Sequence, residues 1–387
     1  MSRGGRGRQR PLAALLIESV TQARGPLPPH LEMVSLDDLM VAASDHRVGP
    51  AVWRRLRDSP GADPVWVSAL GRRRQEQLLR HMRTALELKT IAAVFEDAGI
   101  GWVVAKGPVA ADIIWPKPDM REYHDLDLFV GRRDFVRALE GLQDAGFTVV
   151  DRNWPEIART VRAEIALLGP YGTPVDLHWD MAVPVSLRSA FTTDIPGMLT
   201  RARGVTLGSG LTVPTFDETD TVLHLAFHAA QAGATKLMWV GDLRYALAAR
   251  AFDGDQLARR SARARAELPV ALVLQRVREV LGIPVDMPDA LERRSRGVWG
   301  SLASASQRRR PFPFLPGDRH AGGNIYSGAR DSLRETVMAT ADLALTARRR
   351  ERRIRREGPE GRILHRDVPD ADAKRAYFEA VVGAPTR

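Results

Sequence analysis

The chain reads as an α+β protein in which a small mixed sheet carries packed helices and has a helical region on either side. Three observations predict this. Short apolar or alternating runs, the signature of strands, are confined to roughly residues 101–180. Apolar residues at helical spacing dominate before and after that window. Within it, strands and helices follow the order β-α-β-α-β-β, which is too irregular for a parallel α/β sheet. At 387 residues, 44% of them hydrophobic, the chain can build a sizeable core in two or three units.

Residues 1–10 carry Arg3, Arg6, Arg8 and Arg10 and no apolar cluster, so a disordered basic tail is expected. An N-terminal helical region over 11–98 follows. Leu12–Ala23 predicts a short helix stopped by Gly25–Pro29. Ser35, with Asp38 three residues on, caps the first of two small helices over Ser35–Arg57. A longer helix over Trp66–Ala98 would bury Leu70, Leu78, Met82, Leu86, Ile91 and Val94 and turn Arg72–Arg74 and Arg80 outward. Residues 99–185 form the core. Gly101–Ala105 is a strand ended by Lys106-Gly107-Pro108, and Val109–Ile114 begins a helix whose N–H groups would face an anion. The second strand is Asp125–Val130. Helix Arg133–Ala145, strand Phe147–Val150 and a hairpin of Ala163–Leu168 with Thr173–Trp179 complete the core. Beyond Pro184 no further strand is expected. Region 186–295 reads as helical and substrate-binding, with Asp217 and Asp220 capping a helix through Ala230 and further helices over Leu237–Ala249 and Gln256–Leu281. Region 296–330 reads as a Pro/Gly/Arg-rich linker in which Phe312 and Phe314 dock. Region 331–387 reads as a basic helix over Asp331–Arg356 and a tail.

The chemistry concentrates between Gly101 and Trp179. Side chains alternate on a strand, so Asp125 and Asp127 share one face about 7 Å apart while Leu126 and Leu128 bury the other. Carboxylates side by side raise each other's pKa unless a cation sits between them. In Pro174–Trp179 the pattern repeats, with Val175, Leu177 and Trp179 on one face and Asp176 and His178 on the other. Three converging oxygen ligands, Asp125, Asp127 and Asp176, suit Mg²⁺ or Mn²⁺ better than zinc. Lys106 ends an apolar strand, where it either meets phosphate or reaches solvent. Arg121 either clamps phosphate or pairs with a carboxylate. His178 is a direct participant or a hydrogen-bonded neighbour, and Tyr123 and His124 stack on a base or cover the metal strand, the latter favoured. His224 and His228 share a helix face, where packing or substrate contact outweighs metal binding for a pair without the glutamate of H-E-x-x-H. Lys236 and Asp242 contact triphosphate or acceptor, or form a surface pair.

Lys106-Gly107, Arg121, Asp125-Leu-Asp127-Leu-Phe-Val, Val175-Asp176-Leu177-His178 and the stretch Leu223–Leu243 occur in an order that resembles the uncharacterised nucleotidyltransferases of the polymerase-β type. The resemblance runs from near Ser35 to about Asp289. It implies a polymerase-β-like core and transfer of a nucleoside monophosphate from an NTP to a hydroxyl acceptor with release of pyrophosphate. It also implies that Asp125, Asp127 and Asp176 hold the catalytic Mg²⁺ or Mn²⁺, and that Lys106, Gly107, Arg121, His178 and Lys236 bind the nucleotide. Where many such enzymes carry Gly-Ser to hold the triphosphate, this chain has Gly107-Pro108. Phosphate binding then falls more heavily on Lys106 and Arg121.

Composition bounds the alternatives. Without cysteine there is no disulfide, thiolate zinc site or cysteine nucleophile. The formal net charge of +10 resides in the first ten residues and in Arg348–Arg356, which holds seven arginines and one glutamate; the rest is formally neutral. That arginine block is a solvated helix face or a contact for nucleic acid, an acidic peptide or an anionic membrane. No apolar run reaches transmembrane length, and cytoplasm is the expected location. The other readings are a catalytically silent nucleotide- or partner-binding protein of the same fold, an RNA-modifying or RNA-binding protein using its basic ends, and a glycosyltransferase, for which Gly101–Trp179 leaves little room.

Overall fold

The computed structural model describes residues 4–249, 251–309, 312–316, 318, 323–359 and 363–383. The N-terminal helices are α1 (Gly4–Thr21), α2 (Leu36–Asp45), α3 (Gly49–Arg57) and α4 (Pro64–Asp97). The core holds β1 (Trp102–Val104), β2 (Leu126–Val130), α5 (Phe135–Asp144), β3 (Thr148–Val149), α6 (Trp154–Thr160), β4 (Glu164–Leu168) and β5 (Pro174–His178). Then come α7 (Val185–Arg188), α8 (Ile195–Thr200), β6 (Arg203–Thr206), β7 (Thr212–Thr215), α9 (Glu218–Gln231), α10 (Leu237–Ala246), α11 (Gly254–Arg263) and α12 (Glu267–Leu281). The chain continues through α13 (Asp289–Ser295), α14 (Val298–Arg309), α15 (Gly323–Ser327), α16 (Leu333–Glu357) and α17 (Ala371–Gly383).

The five-stranded sheet has the order β1-β2-β5-β4-β3. The β2–β5 pair is parallel and its other neighbours are antiparallel, so the sheet is mixed as expected. Its period of two sorts the side chains into two cores. Leu126, Leu128, Val130, Val175, Leu177 and Trp179 join one cluster, while Val103 and Phe129 join the other, which α9, α10 and α12 supply. The acidic face of β2 and β5 therefore looks toward the helical region. Caps fall where their residue types place them: Ser35 accepts from Asp38 N at 3.0 Å and Asp217 from Asp220 N at 2.7 Å.

Several expectations need correction. Helix α1 begins at Gly4, inside the expected disordered tail; residues 1–3 lie outside the described residues. Buried Leu12, Leu15, Leu16 and Val20 recur at helical spacing and anchor the C-terminal part of α1 in the core. Met82 and Leu86 of α4 are exposed, and its arginines do not simply face water. Arg73 pairs with Glu122 at 3.0 Å, Arg74 with Asp119 at 2.5 Å, and Arg80 donates to the Tyr123 carbonyl at 3.2 Å. The polar side of α4 thus clamps the segment leading into β2. Strands do not stop at Pro184, because β6 and β7 form a hairpin that buries Val205 and Val213, and Thr215 Oγ1 donates to the Val104 carbonyl at 2.7 Å. Two helices, α11 and α12, occupy Gln256–Leu281 where one was expected. Helix α14 lies within the supposed linker, part of which falls outside the described residues. There Phe312 docks edge-on against His46, and the Phe314 carbonyl lies 2.6 Å from His46 Nε2. The C-terminal segment is more than a tail. Tyr377 of α17 is fully buried on the sheet core and donates from its hydroxyl to the Arg162 carbonyl at 2.8 Å. Among the described residues no helix is long and apolar enough to cross a membrane.

Candidate active site

Parallel pairing of β2 with β5 sets Asp127 directly opposite Asp176 and Phe129 opposite His178. Donor atoms of Asp127, Asp176 and His178 all lie within 4.8 Å of one another. They line a cavity of about 390 Å³ whose far wall includes His224, His228 and Trp239 of α9 and α10. Asp125 lines the same cavity just before β2 begins, but it does not join the close group. The tight set is therefore two carboxylates and an imidazole, where three carboxylates were expected.

Lys106 Nζ lies 3.1 Å from Asp127 Oδ1 and 3.4 Å from His228 Nδ1. His178 Nε2 is 3.3 Å from the same Asp127 oxygen, and its Nδ1 is 3.5 Å from Glu164 Oε2. Asp127 Oδ2 is buried and has no hydrogen-bond partner among the described residues. An orphaned carboxylate oxygen beside a second carboxylate and an imidazole is a donor set that fits a divalent cation.

The charges in this cluster are pushed apart. Burial favours the neutral acid at Asp127, but Lys106 and His178 outweigh it and hold the group well below the usual carboxylate range. Asp176 goes the other way, pushed up to about 8 by burial and by Glu164. For His178 burial is outweighed by Asp127 and Glu164, so its pKa is raised. His224 is pushed down to about 3 by burial and then by Lys106, and His228 is lowered for the same reasons. The helical wall thus presents neutral imidazoles, and both ring nitrogens of buried His224 lack partners among the described residues.

Gly107 makes the turn possible. Its φ is +61°, and a Cβ there would come within 3.2 Å of the Asp125 carbonyl, so only glycine brings the Lys106 turn this close to β2. After Pro108 the chain makes one π-helical turn, Ala110–Ile114, rather than an extended helix with its N-terminus offered to phosphate. Arg121 takes the carboxylate option. Its Nε and Nη2 donate to Asp242 at 2.7 and 2.9 Å, and Trp115 Nε1 donates to the same carboxylate at 2.6 Å. Asp242 is accordingly a buried partner and not a surface residue. Lys236 is off the cavity lining, its Nζ 5.9 Å from the Trp239 ring centroid. Glu164 escaped the sequence reading because its place beside His178 depends on the hairpin register, which pairs the two residues directly.

A family described as uncharacterised nucleotidyltransferase matches residues 32–282, about two thirds of the chain. The chain belongs to that family. The matched span takes in the clamp helix α4, the sheet and the helical wall through α12, so this nucleotidyltransferase family protein carries its whole candidate cleft within the shared region. No curated protein matches the chain.

Proposed function

We propose that the protein moves a nucleoside monophosphate from an NTP to a hydroxyl acceptor, with Asp125, Asp127 and Asp176 as the acidic machinery. The observation that carries this reading is the pairing of buried Asp127, with its orphaned Oδ2, and half-buried Asp176 beside Lys106 on the cleft face of the sheet. Lys106 and the Gly107 turn receive the phosphates. The acceptor lies against α9, where a neutral imidazole offers one donor and one acceptor, the pairing a hydroxyl matches and a phosphate does not. Asp176, with its raised pKa, is the better proton acceptor of the two paired acids. The acceptor oxygen forms a bond to the α-phosphorus, the bond from that phosphorus to the β-phosphate oxygen breaks, and pyrophosphate leaves. With Mg²⁺ or Mn²⁺ bound, the site gains charge neutralisation on the phosphates and a more acidic acceptor hydroxyl.

Mass spectrometry of cell extract given labelled NTPs, a divalent cation and the protein tests this. A labelled adduct should form with wild type and not with Asp127→Asn. Equal labelling by both proteins would overturn the reading.

A second reading is favoured by the single turn after Pro108 and by Lys106 being engaged with Asp127: a protein that binds nucleotide without turning it over. Calorimetry showing NTP binding without pyrophosphate release selects it. The exposed arginines of α16, among them Arg348, Arg349, Arg352, Arg355 and Arg356, suit a polyanion such as RNA. Charge-neutralising Arg→Gln changes are the suitable probe, because deleting the C-terminus would also remove Tyr377 from the core.

A further inference from the structure

His178 is held on three sides by the sheet. Its ring stacks on Phe129 with centroids 4.7 Å apart and planes 11° from parallel. Hairpin register sets Glu164 opposite it on β4, with Oε2 3.5 Å from Nδ1, and Nε2 faces Asp127 Oδ1 at 3.3 Å. Histidines that ligate metals almost always pass their other ring N–H to a carboxylate or carbonyl, which fixes tautomer and orientation. Nδ1 makes no hydrogen bond among the described residues, but Glu164 Oε2, at 3.5 Å, is placed to take its proton; Nε2 hydrogen-bonds Asp127 Oδ1, and a cation bound there would take the place of the proton between those two atoms. Ligands about 2.1 Å from a common cation lie roughly 3.0–3.4 Å apart at the edge of an octahedron or tetrahedron, so the 3.3 Å gap fits. An independent sign of a missing ligand is Asp127 itself, 5% exposed with Oδ2 unpartnered among the described residues.

We propose that His178 is a direct nitrogen ligand, through Nε2, of the cation held by Asp127 and Asp176, with Glu164 as the carboxylate behind it. The nitrogen makes the site prefer Mn²⁺ over Mg²⁺. Imidazole suits the borderline transition metals, whereas Mg²⁺ takes oxygen and keeps its waters. The inference rests on the proposed function only in taking this cleft as the cation site.

Pulsed electron paramagnetic resonance on the full-length protein with Mn²⁺ alone tests it without turnover. Nitrogen hyperfine coupling from an imidazole is expected in wild type, and ¹⁵N-histidine labelling should convert it to the ¹⁵N pattern. His178→Asn should abolish the coupling, whereas His224→Phe should keep it. Glu164→Gln should retain the coupling while weakening Mn²⁺ binding by roughly 10- to 100-fold. Calorimetry should show wild type binding Mn²⁺ at least tenfold more tightly than Mg²⁺, with that ratio reduced in His178→Asn. Bound Mn²⁺ without nitrogen coupling, coupling that survives His178→Asn, or no Mn²⁺ binding at millimolar concentration would each overturn it. The wild-type spectrum decides the question even if His178→Asn fails to fold. Turnover is a separate outcome: coupling without pyrophosphate release would sink the transferase reading and leave the ligand assignment standing.

Discussion

Replacing Asp242 with alanine should cost more stability than any surface charge change in this protein. The substitution removes three acceptor contacts at once, those from Arg121 Nε and Nη2 and from Trp115 Nε1. Arg121 is 2% exposed and Asp242 fully buried, so the guanidinium cannot turn to solvent. It would keep only the long 3.5 Å contact from Nη1 to the Gly107 carbonyl. Burial works against the charge and the paired carboxylate outweighs it; without that partner the guanidinium still stays charged, because arginine's ordinary pKa lies so far above neutrality. Breaking a buried pair from one side costs about 3–5 kcal/mol, a large part of the ~5–15 kcal/mol that holds a domain folded. Urea denaturation followed by tryptophan fluorescence should show a matching fall in midpoint with the slope unchanged. The double variant Arg121→Met/Asp242→Leu should recover most of the loss, because neither charge is then stranded. A loss below about 1 kcal/mol for Asp242→Ala, or a double variant as unstable as the single, would refute the reasoning.

Three further outcomes follow from particular groups. The raised pKa of Asp176 means that the native state keeps a proton the unfolded chain has already released. Its contribution to stability therefore falls as pH rises from the ordinary carboxylate range through about 8, and Asp176→Asn should match wild type at pH 4 but exceed it at pH 8 in urea midpoints. Parallel midpoint-versus-pH curves would contradict this. His224→Phe removes two unpartnered nitrogens from an aromatic surround of Phe129 and Phe216, so the thermal midpoint should hold or rise, by up to about 1–3 kcal/mol in stability, while adduct formation falls. A midpoint several degrees lower would show that the histidine is structural. Gly241→Ala would bring a Cβ to 2.7 Å from Trp115 Cζ2 and 2.9 Å from Val20 Cγ1, an overpacking expected to cost about 1–3 kcal/mol and to alter the near-ultraviolet circular dichroism. Unchanged stability and spectrum would show that α1 and α10 have slack there.

How much could be read beforehand depended on whether the controlling interaction was local. Alternation placed Asp127 and Asp176 on one face of their strands, because period two is a property of a few consecutive residues. Caps at Ser35 and Asp217 were legible for the same reason. Partners distant in sequence were not. Arg121 and Asp242 are 121 positions apart, and only packing α10 beside the turn at Trp115 decided between phosphate and carboxylate. Glu164 looks like any polar residue opening a strand until the hairpin register sets it against His178. The exposed Met82 and Leu86 show the converse case: the buried side of α4 runs through Gln77, Thr84, Leu88, Ile91 and Phe95, and these two apolar side chains fall off it. The β6–β7 hairpin carried a local sign, Gly208-Ser-Gly210 between runs containing Val205 and Val213, which the helical pattern around it obscured.

These long-range contacts explain why the cleft lies where it does. The sheet alone would leave Asp127 and Asp176 on an open face, where water could neutralise them. Covering that face with α9 and α10 narrows it to a cavity in which burial and Glu164 raise the pKa of Asp176 while Lys106 and His178 hold that of Asp127 down, and Asp127 Oδ2 is left without a partner among the described residues. The Arg121–Asp242 pair helps tie the cover down, because Asp242 lies on α10 while Arg121 Nη1 reaches the carbonyl of Gly107 at the base of the Lys106 turn. A single buried ion pair thus joins the helical wall, the lysine turn and the approach to β2. Asp242→Ala should then loosen the proposed cation site as well as the fold, and the double apolar replacement, expected to restore stability, should restore any Mn²⁺ binding less completely, since it returns packing to α10 but no anchor to the Gly107 carbonyl.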